Sequence, residues 1–279
     1  MVIRSPFLFI MFLRFSILSC IAFMYHMVSQ FKSKINTMVT NSRKVKLICG
    51  NDEFIVKGVV FDKDGVLTGG FDLWKQIFYL YMKEASRKGL CVEKAAIDLF
   101  GIDEDPSIAP LSLCTMEEAK CLLAAAIWLT HRIDWATCRK LSQEIVEAAQ
   151  KVMSPEMVYS PLPGAKELFT LLSQYVPVAI ATSDSRSNVE EMFKFWQVEL
   201  PIIVSAGDVK RGKPFPDMLL KASSLMGVSS EDLVVFGDSL GDVQMAHSAG
   251  AKAVAVGIHI LEADSWVQSL LDVSVEVLE

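Results

Sequence analysis

Three short apolar runs, each stopping abruptly at polar residues, constrain this chain more than any other feature. Val59-Val60-Phe61 runs into Asp62-Lys63-Asp64-Gly65, residues 178–181 run into Thr182-Ser183, and residues 233–236 run into Gly237-Asp238-Ser239. From Pro161 onward, helix-like and strand-like segments alternate. Helical spacing covers residues 166–174, 189–195, 218–226 and 243–249, with apolar strands at 178–181, 202–204, 233–236 and 253–256. Such alternation predicts an α/β fold, a Rossmann-like parallel sheet with helices on both faces. Open sheets of this kind bind ligands beyond the carboxyl ends of their strands, where all three polar tips stand.

In an extended chain alternate residues point the same way, so Asp62 and Asp64 share a direction, and Gly65 lets the backbone turn at once. Asp and Gly after a strand are ordinary turn residues, and Asp-x-Asp-Gly alone is more often a turn than a site. A calcium loop needs an oxygen ligand at its fifth position, which Val66 occupies. The functional reading therefore requires partners elsewhere in the chain. Thr182 and Ser183 bring a hydroxyl and backbone N–H groups to a strand-to-helix junction, with Ser187 and Glu190 as a capping box for a helix from about Asn188. That junction suits a phosphate, and equally an ordinary cap. Gly212-Lys213-Pro214, followed by Pro216-Asp217, holds one lysine in a loop, where most lysines are simply solvated. Asp238 and Asp242 form a second carboxylate pair, and Asp242 opens the helix of residues 243–249, where an acid suits the dipole with or without a metal. Residues 207–213 imitate the start of a P-loop, but Pro214 replaces the Ser/Thr and removes a backbone donor, so that reading fails.

Taken in order, these segments resemble the haloacid dehalogenase-like hydrolase superfamily, in its phosphoglycolate-phosphatase-like branch, over roughly residues 54–260. Asp62, Asp64 and Gly65 match that family's first motif, Thr182 its second, Lys213 its third, and Gly237-Asp238-Ser239 with Asp242 its fourth. Val66 departs from the commoner Thr, and Gly-Val also occurs in related sugar-phosphate mutases. The resemblance implies a magnesium-dependent phosphoric monoester hydrolase working through an aspartyl-phosphate. Asp62 would be the nucleophile and Asp64 the general acid and base. Thr182, the Ser183 amide and Lys213 would bind phosphate. Mg2+ would be held by Asp62, Asp64 through its backbone carbonyl, and Asp238, with Asp242 nearby or acting through water. The expected substrate is a small phosphorylated metabolite, phosphoglycolate first. A sugar-phosphate mutase of the same superfamily is one alternative, and a catalytically silent, membrane-tethered binding protein another.

Residues 70–158 change character. Helical spacing covers 73–88, 92–100, 116–130 and 135–152, with 102–112 as a loop. By the same resemblance this stretch is a helical cap inserted into an α/β core of residues 44–69 and 159–279, with Gly69-Gly70 and residues 159–163 as linkers. Residues 45–49 and 54–61, flanking Gly50-Asn51-Asp52, predict a hairpin feeding the first core strand. Trp74, Tyr79, Trp128 and Trp135 are candidates to line a substrate pocket, although large aromatics on helices belong more often to a core.

With 279 residues and 52% apolar content, the chain can bury one sizeable core and a smaller satellite. Its formal charge of −6 and lack of a basic stripe argue against a nucleic-acid partner. A substrate anion must then be met by local features rather than by the overall field. The six cysteines, Cys20, Cys49, Cys91, Cys114, Cys121 and Cys138, include no CxxC pair and read as free thiols in a reducing compartment. The four histidines, His26, His131, His247 and His259, show no ligand spacing. Residues 1–43 form a hydrophobic segment and linker. Residues 5–31 carry a single charge, Arg14, and the uncharged run 15–31 is near the lower length limit of a membrane span. Three readings stand: a signal anchor, a signal peptide without a clear cleavage site, or an extension upstream of a start at Met27 or Met38. If the segment spans, Lys32, Lys34, Arg43, Lys44 and Lys46 would leave the catalytic domain cytoplasmic. The sequence does not specify an oligomeric state.

Overall fold

Val59, Val60 and Phe61 are all fully buried although alternate residues of a strand face opposite ways, so this strand must have cover on both faces. In the computed structural model, which describes residues 43–278 apart from Ser107, it lies at the centre of a parallel sheet. The strands are β1 (Lys44–Cys49), β2 (Asp52–Val56), β3 (Gly58–Phe61), β4 (Val178–Thr182), β5 (Ile202–Ser205), β6 (Leu233–Gly237), β7 (Lys252–Val256), β8 (Ser265–Val267) and β9 (Val273–Leu278). Six of them form one sheet in the order β5-β4-β3-β6-β7-β8, with every pair parallel. The register sets Phe61 beside Ile180 on one flank and Phe236 on the other, so the polar tips of β3, β4 and β6 emerge together.

The two faces of this sheet are packed differently. One carries large side chains: Phe61 stacks on Phe236 at 5.1 Å and meets Phe169 of helix α7 (Ala165–Leu172) at 6.1 Å, and helix α8 (Arg186–Trp196) adds Phe193 and Trp196. Each fully buried ring of this kind contributes roughly 1.5–3 kcal/mol through area removed from water. The other face is built of Ala179, Ala181, Ala253 and Ala255, small enough for helices α9 (Asp217–Met226) and α10 (Leu240–Ser248) to approach closely. This is the Rossmann-like sheet with helices on both faces that the alternation predicts.

The predicted hairpin divides. β1 and β2 pair antiparallel, but the run 54–61 breaks at Lys57, and β3 leaves for the parallel sheet. Lys57 donates its amide to the Asp232 carbonyl and pairs its ammonium with the Asp232 carboxylate at 2.8 Å. Gly58 then passes so close to α9 and β6 that a Cβ would stand 2.6 Å from Met226 and 2.8 Å from Leu233. β9 pairs antiparallel with the other edge of β1 and completes a small three-stranded sheet that the sequence reading did not anticipate.

Between β3 and α7 the chain is helical: α1 (Phe71–Arg87), α2 (Glu93–Phe100), α3 (Pro110–Leu113), α4 (Met116–His131), α5 (Trp135–Gln150) and α6 (Pro155–Tyr159). They enclose their own apolar cluster around Phe78, Phe100, Leu123, Ile127 and Ile145. Thr115 and Glu118 form a capping box at the start of α4, and Asp134 caps α5 by accepting from Thr137 N–H at 3.0 Å. The loop expected over 102–112 ends in α3, with Pro110 at its first turn. Outgoing and returning strands of chain meet at a bridge between Thr68 and Pro161, and Leu162 N–H donates to the Leu67 carbonyl at 2.9 Å. The apolar N-terminal segment, and with it the anchor reading, lies outside the described residues. No described helix is long and apolar enough to cross a membrane.

Candidate active site

Three of the four carboxylates singled out in the sequence converge. Asp62 continues from β3, Asp238 from β6, and Asp242 sits in the first turn of α10; one oxygen from each lies within 4.8 Å of the others. Asp62 N–H donates to the Phe236 carbonyl at 2.9 Å, which ties the two strand tips together. The loop after β3 must pass very close to β6: a Cβ on Gly65 would stand 1.7 Å from Asp238 Oδ2, and Gly65 has φ +80. On the other strand, a Cβ on Gly237 would stand 2.2 Å from the Asp242 Cβ. Glycine at these two positions is what allows the carboxylates to gather.

Asp242 does not open its helix as the sequence suggests. Ser239 is the N-cap, accepting from Asp242 N–H at 3.3 Å and donating its hydroxyl to Asp242 Oδ2. That capping box uses one Asp242 oxygen and presents the other, Oδ1, to the site. Lys213 reaches in from its loop and places its ammonium 2.7 Å from both Asp62 Oδ1 and Asp242 Oδ1. Both oxygens are buried in charge contact with it, yet neither makes a well-angled hydrogen bond. Burial would lower the affinity of Lys213 for its proton, but Asp242 and Asp62 outweigh that and hold it charged. Burial pushes Asp62 up to about 7, with Asp242 and Asp64 adding to the shift and Lys213 opposing it. Asp238 is likewise raised, by burial first and then by Asp62, Asp242 and Asp64, with Lys213 opposing.

Three carboxylates facing one ammonium leave a formal excess of two negative charges. The donors are all hard oxygens, and two of them lack directed hydrogen bonds, so the cluster suits a small divalent cation.

Asp64 has a different environment. Its carboxylate turns to Lys63, whose fully buried ammonium also lies 3.0 Å from Asp184. Asp184 in turn accepts from the Ser185 amide at 2.6 Å and from Asn188 Nδ2 at 2.8 Å. The Asp64 carboxylate is therefore engaged apart from the three-acid cluster. Burial raises Asp64, with Asp184 adding to it and Lys63 opposing it. The sequence reading missed Lys63, Asp184 and Asn188. Lys63 sits between two carboxylates at a buried strand end, a place where an unpaired lysine would be costly, and that was the available signal.

Thr182 is buried at the tip of β4, and its Oγ1 accepts from Asp184 N–H at 3.1 Å, which leaves its own O–H to donate. Ser183 is half-buried beside it. The helix that follows is capped by Ser185, which accepts from Asn188 N–H at 3.3 Å, rather than by Ser187 with Glu190. Ser187 instead lies 3.0 Å from the Ser185 hydroxyl.

A cavity of about 190 Å³ lies above these groups, lined by Asp62, Asp64, Thr182, Ser183, Asp184 and Lys213 from below and by helical-cap residues from above. Of the four aromatics proposed from sequence, Trp74 lines it, while Tyr79, Trp128 and Trp135 are exposed elsewhere. Tyr81, two residues beyond Tyr79, lines it instead.

The comparisons with known proteins bear on the family and the fold. The profile described as haloacid dehalogenase-like hydrolase matches residues 59–256. The bifunctional riboflavin kinase/FMN phosphatase of Arabidopsis thaliana is 35% identical over 125 residues, covering 41% of this chain and 33% of that protein. The beta-phosphoglucomutase of Bacillus subtilis is 26% identical over 228 residues, covering 80% of this chain and 94% of that one. A 2-haloacid dehalogenase from Pseudomonas syringae pv. Tomato shares the fold, with a TM-score of 0.56, 18% identity, and coverage of 77% and 95%. The chain spans less than half the length of several curated relatives it matches, including that FMN phosphatase. Four motifs in order, a parallel sheet bringing them to one point and a match over most of the chain lead to one assignment: this chain belongs to the haloacid dehalogenase-like hydrolase family.

Proposed function

We propose that the chain hydrolyses a small phosphate monoester through a covalent aspartyl-phosphate. The observation that carries this reading is the division of the carboxylates into two settings. Asp62 stands in the three-carboxylate cluster against Lys213, and Asp64 stands apart against Lys63. Two acids in different environments can take different roles. Asp62 attacks phosphorus, forming an Asp–O–P bond as the bond from phosphorus to the alcohol oxygen breaks. Asp64, protonated at that moment, gives its proton to the departing alkoxide. It then takes a proton from the water that attacks phosphorus, releasing inorganic phosphate and restoring Asp62. Thr182 O–H and the Ser183 amide would hold non-bridging phosphate oxygens, and Lys213 would offset charge on the phosphoryl group. Asp62, Asp238 and Asp242, with the Asp64 carbonyl, would hold magnesium, whose role is to neutralise the charge of phosphate and carboxylate brought together.

A sugar-phosphate mutase is supported by a separate observation, the match to a beta-phosphoglucomutase along nearly its whole length. The two readings part after the first step, since a mutase returns the phosphoryl group to a sugar hydroxyl rather than to water. The full chain should release phosphate from a panel of esters, phosphoglycolate and hexose 1-phosphates among them, with Mg2+ and not with EDTA. Asp62→Asn should lower the rate by at least about 1000-fold, as expected for loss of a nucleophile. Isomerised hexose phosphate without phosphate release would favour the mutase. Turnover of Asp62→Asn at near the parent rate would overturn both.

A further inference from the structure

Among the described residues, four buried side-chain oxygen or nitrogen atoms have no hydrogen-bond partner. Two are the Asp62 and Asp242 oxygens already accounted for by Lys213. The other two, Tyr81 Oη and Ser112 Oγ, belong to cap residues that line the same cavity. Tyr81 is 3% exposed, so its hydroxyl is turned away from bulk solvent. A buried hydroxyl without a partner costs about 1–3 kcal/mol, and a fold tolerates two at one place when something else completes them.

The rest of the cap-side wall is uncharged. Trp74, Phe100, Leu111 and Met116 supply apolar surface, and burial pushes the Cys114 thiol up to about 12, so it stays neutral. Burial likewise keeps the Tyr81 phenol protonated and able to donate. Among the described residues the cavity's single cationic side chain is Lys213, already shared between Asp62 and Asp242. Its other charged side chains are acids, Asp64 and Asp184 among them. Lys210 and Arg211 line the adjoining crevice rather than this cavity, and Arg211 is paired with Asp217 at 2.8 Å. Lys63, which lies behind Asp64 and Asp184, is taken up by those two acids and does not line this cavity. An anionic group on the alcohol side of a substrate would therefore be buried near Asp64 with no cation free to meet it, which is strongly unfavourable.

We propose that the cap selects phosphate monoesters whose alcohol part is uncharged, presents apolar surface to Trp74 and Phe100, and carries a hydrogen-bonding group for Tyr81 and Ser112. Carboxylate-bearing and bisphosphorylated esters are excluded. This deepens the hydrolase reading and rests on it. It also turns away from phosphoglycolate, the ester the sequence resemblance puts first, because its carboxylate finds no cation on this wall.

The test compares matched esters on the full chain with Mg2+. 2-Hydroxyethyl phosphate and phosphoglycolate differ in replacing CH2OH by a carboxylate. 4-Hydroxybenzyl and 4-carboxybenzyl phosphate repeat that comparison with a ring to fill the apolar wall, and 4-methylbenzyl phosphate removes the polar group. The uncharged member of each charged pair should have a kcat/KM at least about tenfold higher. The preference for 4-hydroxybenzyl over 4-methylbenzyl phosphate should shrink by about three- to tenfold in Tyr81→Phe or Ser112→Ala, a ratio that general loss of structure would not move. Equal or better turnover of the carboxylates overturns the proposal. An unchanged ratio in both variants overturns the roles of the two hydroxyls. If no ester is turned over, the hydrolase reading falls, and calorimetric binding of the same pairs then decides the selectivity separately: tighter binding of the uncharged members sustains it, while equal or absent binding ends it.

Discussion

Lys63 is the residue whose importance is least visible from its neighbours in sequence and most visible in space. Its ammonium touches both Asp64 and Asp184, and burial would strip its charge if these acids did not hold it. Lys63→Met leaves two acids facing each other without a counterion. We expect a stability loss of about 3 kcal/mol or more by denaturant titration, with kcat falling more than KM rises because Asp64 loses its orientation. The three-carboxylate cluster makes a separate prediction. Asp62 and Asp238 titrate above the ordinary carboxylate range of about 4, Asp62 near 7, so the metal-free fold holds protons more tightly than the unfolded chain does. Groups of this kind stabilise the fold below their unfolded pKa, and that contribution is lost as pH rises through the folded value. Magnesium competes with those protons. The rise in Tm on adding Mg2+ should therefore be larger at pH 8 than at pH 6, and an equal rise at both would contradict the shared site.

At the scale of elements, the strand tips are where sequence and structure meet most fully. Asp62, Asp64, Thr182 and Asp238 follow runs whose apolar character marks both the strand and its end, and parallel register gathers them. Helix starts were less legible. Ser185 rather than Ser187 caps α8, and Ser239 rather than Asp242 caps α10, because both stretches offer more than one residue able to cap. β9 shows clean alternation of Val273, Val275 and Val277 with polar residues, but nothing local identifies β1, at the other end of the core, as its partner. The close approach at Gly65 is an element-level constraint as well. Gly65→Ala would force a Cβ into the Asp238 carboxylate and put a side chain at φ +80. Both Mg2+-induced stabilisation and phosphatase activity should fall by at least about tenfold, whereas Gly89→Ala, which shares positive φ but meets nothing within 4 Å, should cost only about 1 kcal/mol of stability and leave turnover unchanged.

At the scale of the molecule, the net charge of −6 would oppose the anionic substrate proposed for it, and the site answers by local means. Lys213, the Thr182–Ser183 tip and a cation-ready cluster of acids lie at the floor of one cavity, and a neutral cap closes over them. The floor was legible in sequence because its chemistry demands particular residue types at strand ends. The ceiling was not, since Tyr81 and Ser112 are ordinary helix residues until folding buries their hydroxyls without partners. The claim on which the rest depends is that Asp62 becomes phosphorylated during turnover. Acid-quenching the full chain milliseconds after mixing with a 32P-labelled uncharged ester and Mg2+, followed by peptide mapping, reads this directly. The account predicts acid-stable, hydroxylamine-labile label confined to the peptide that contains Asp62. Steady phosphate release with no label on that peptide, or with label on another residue, would contradict it.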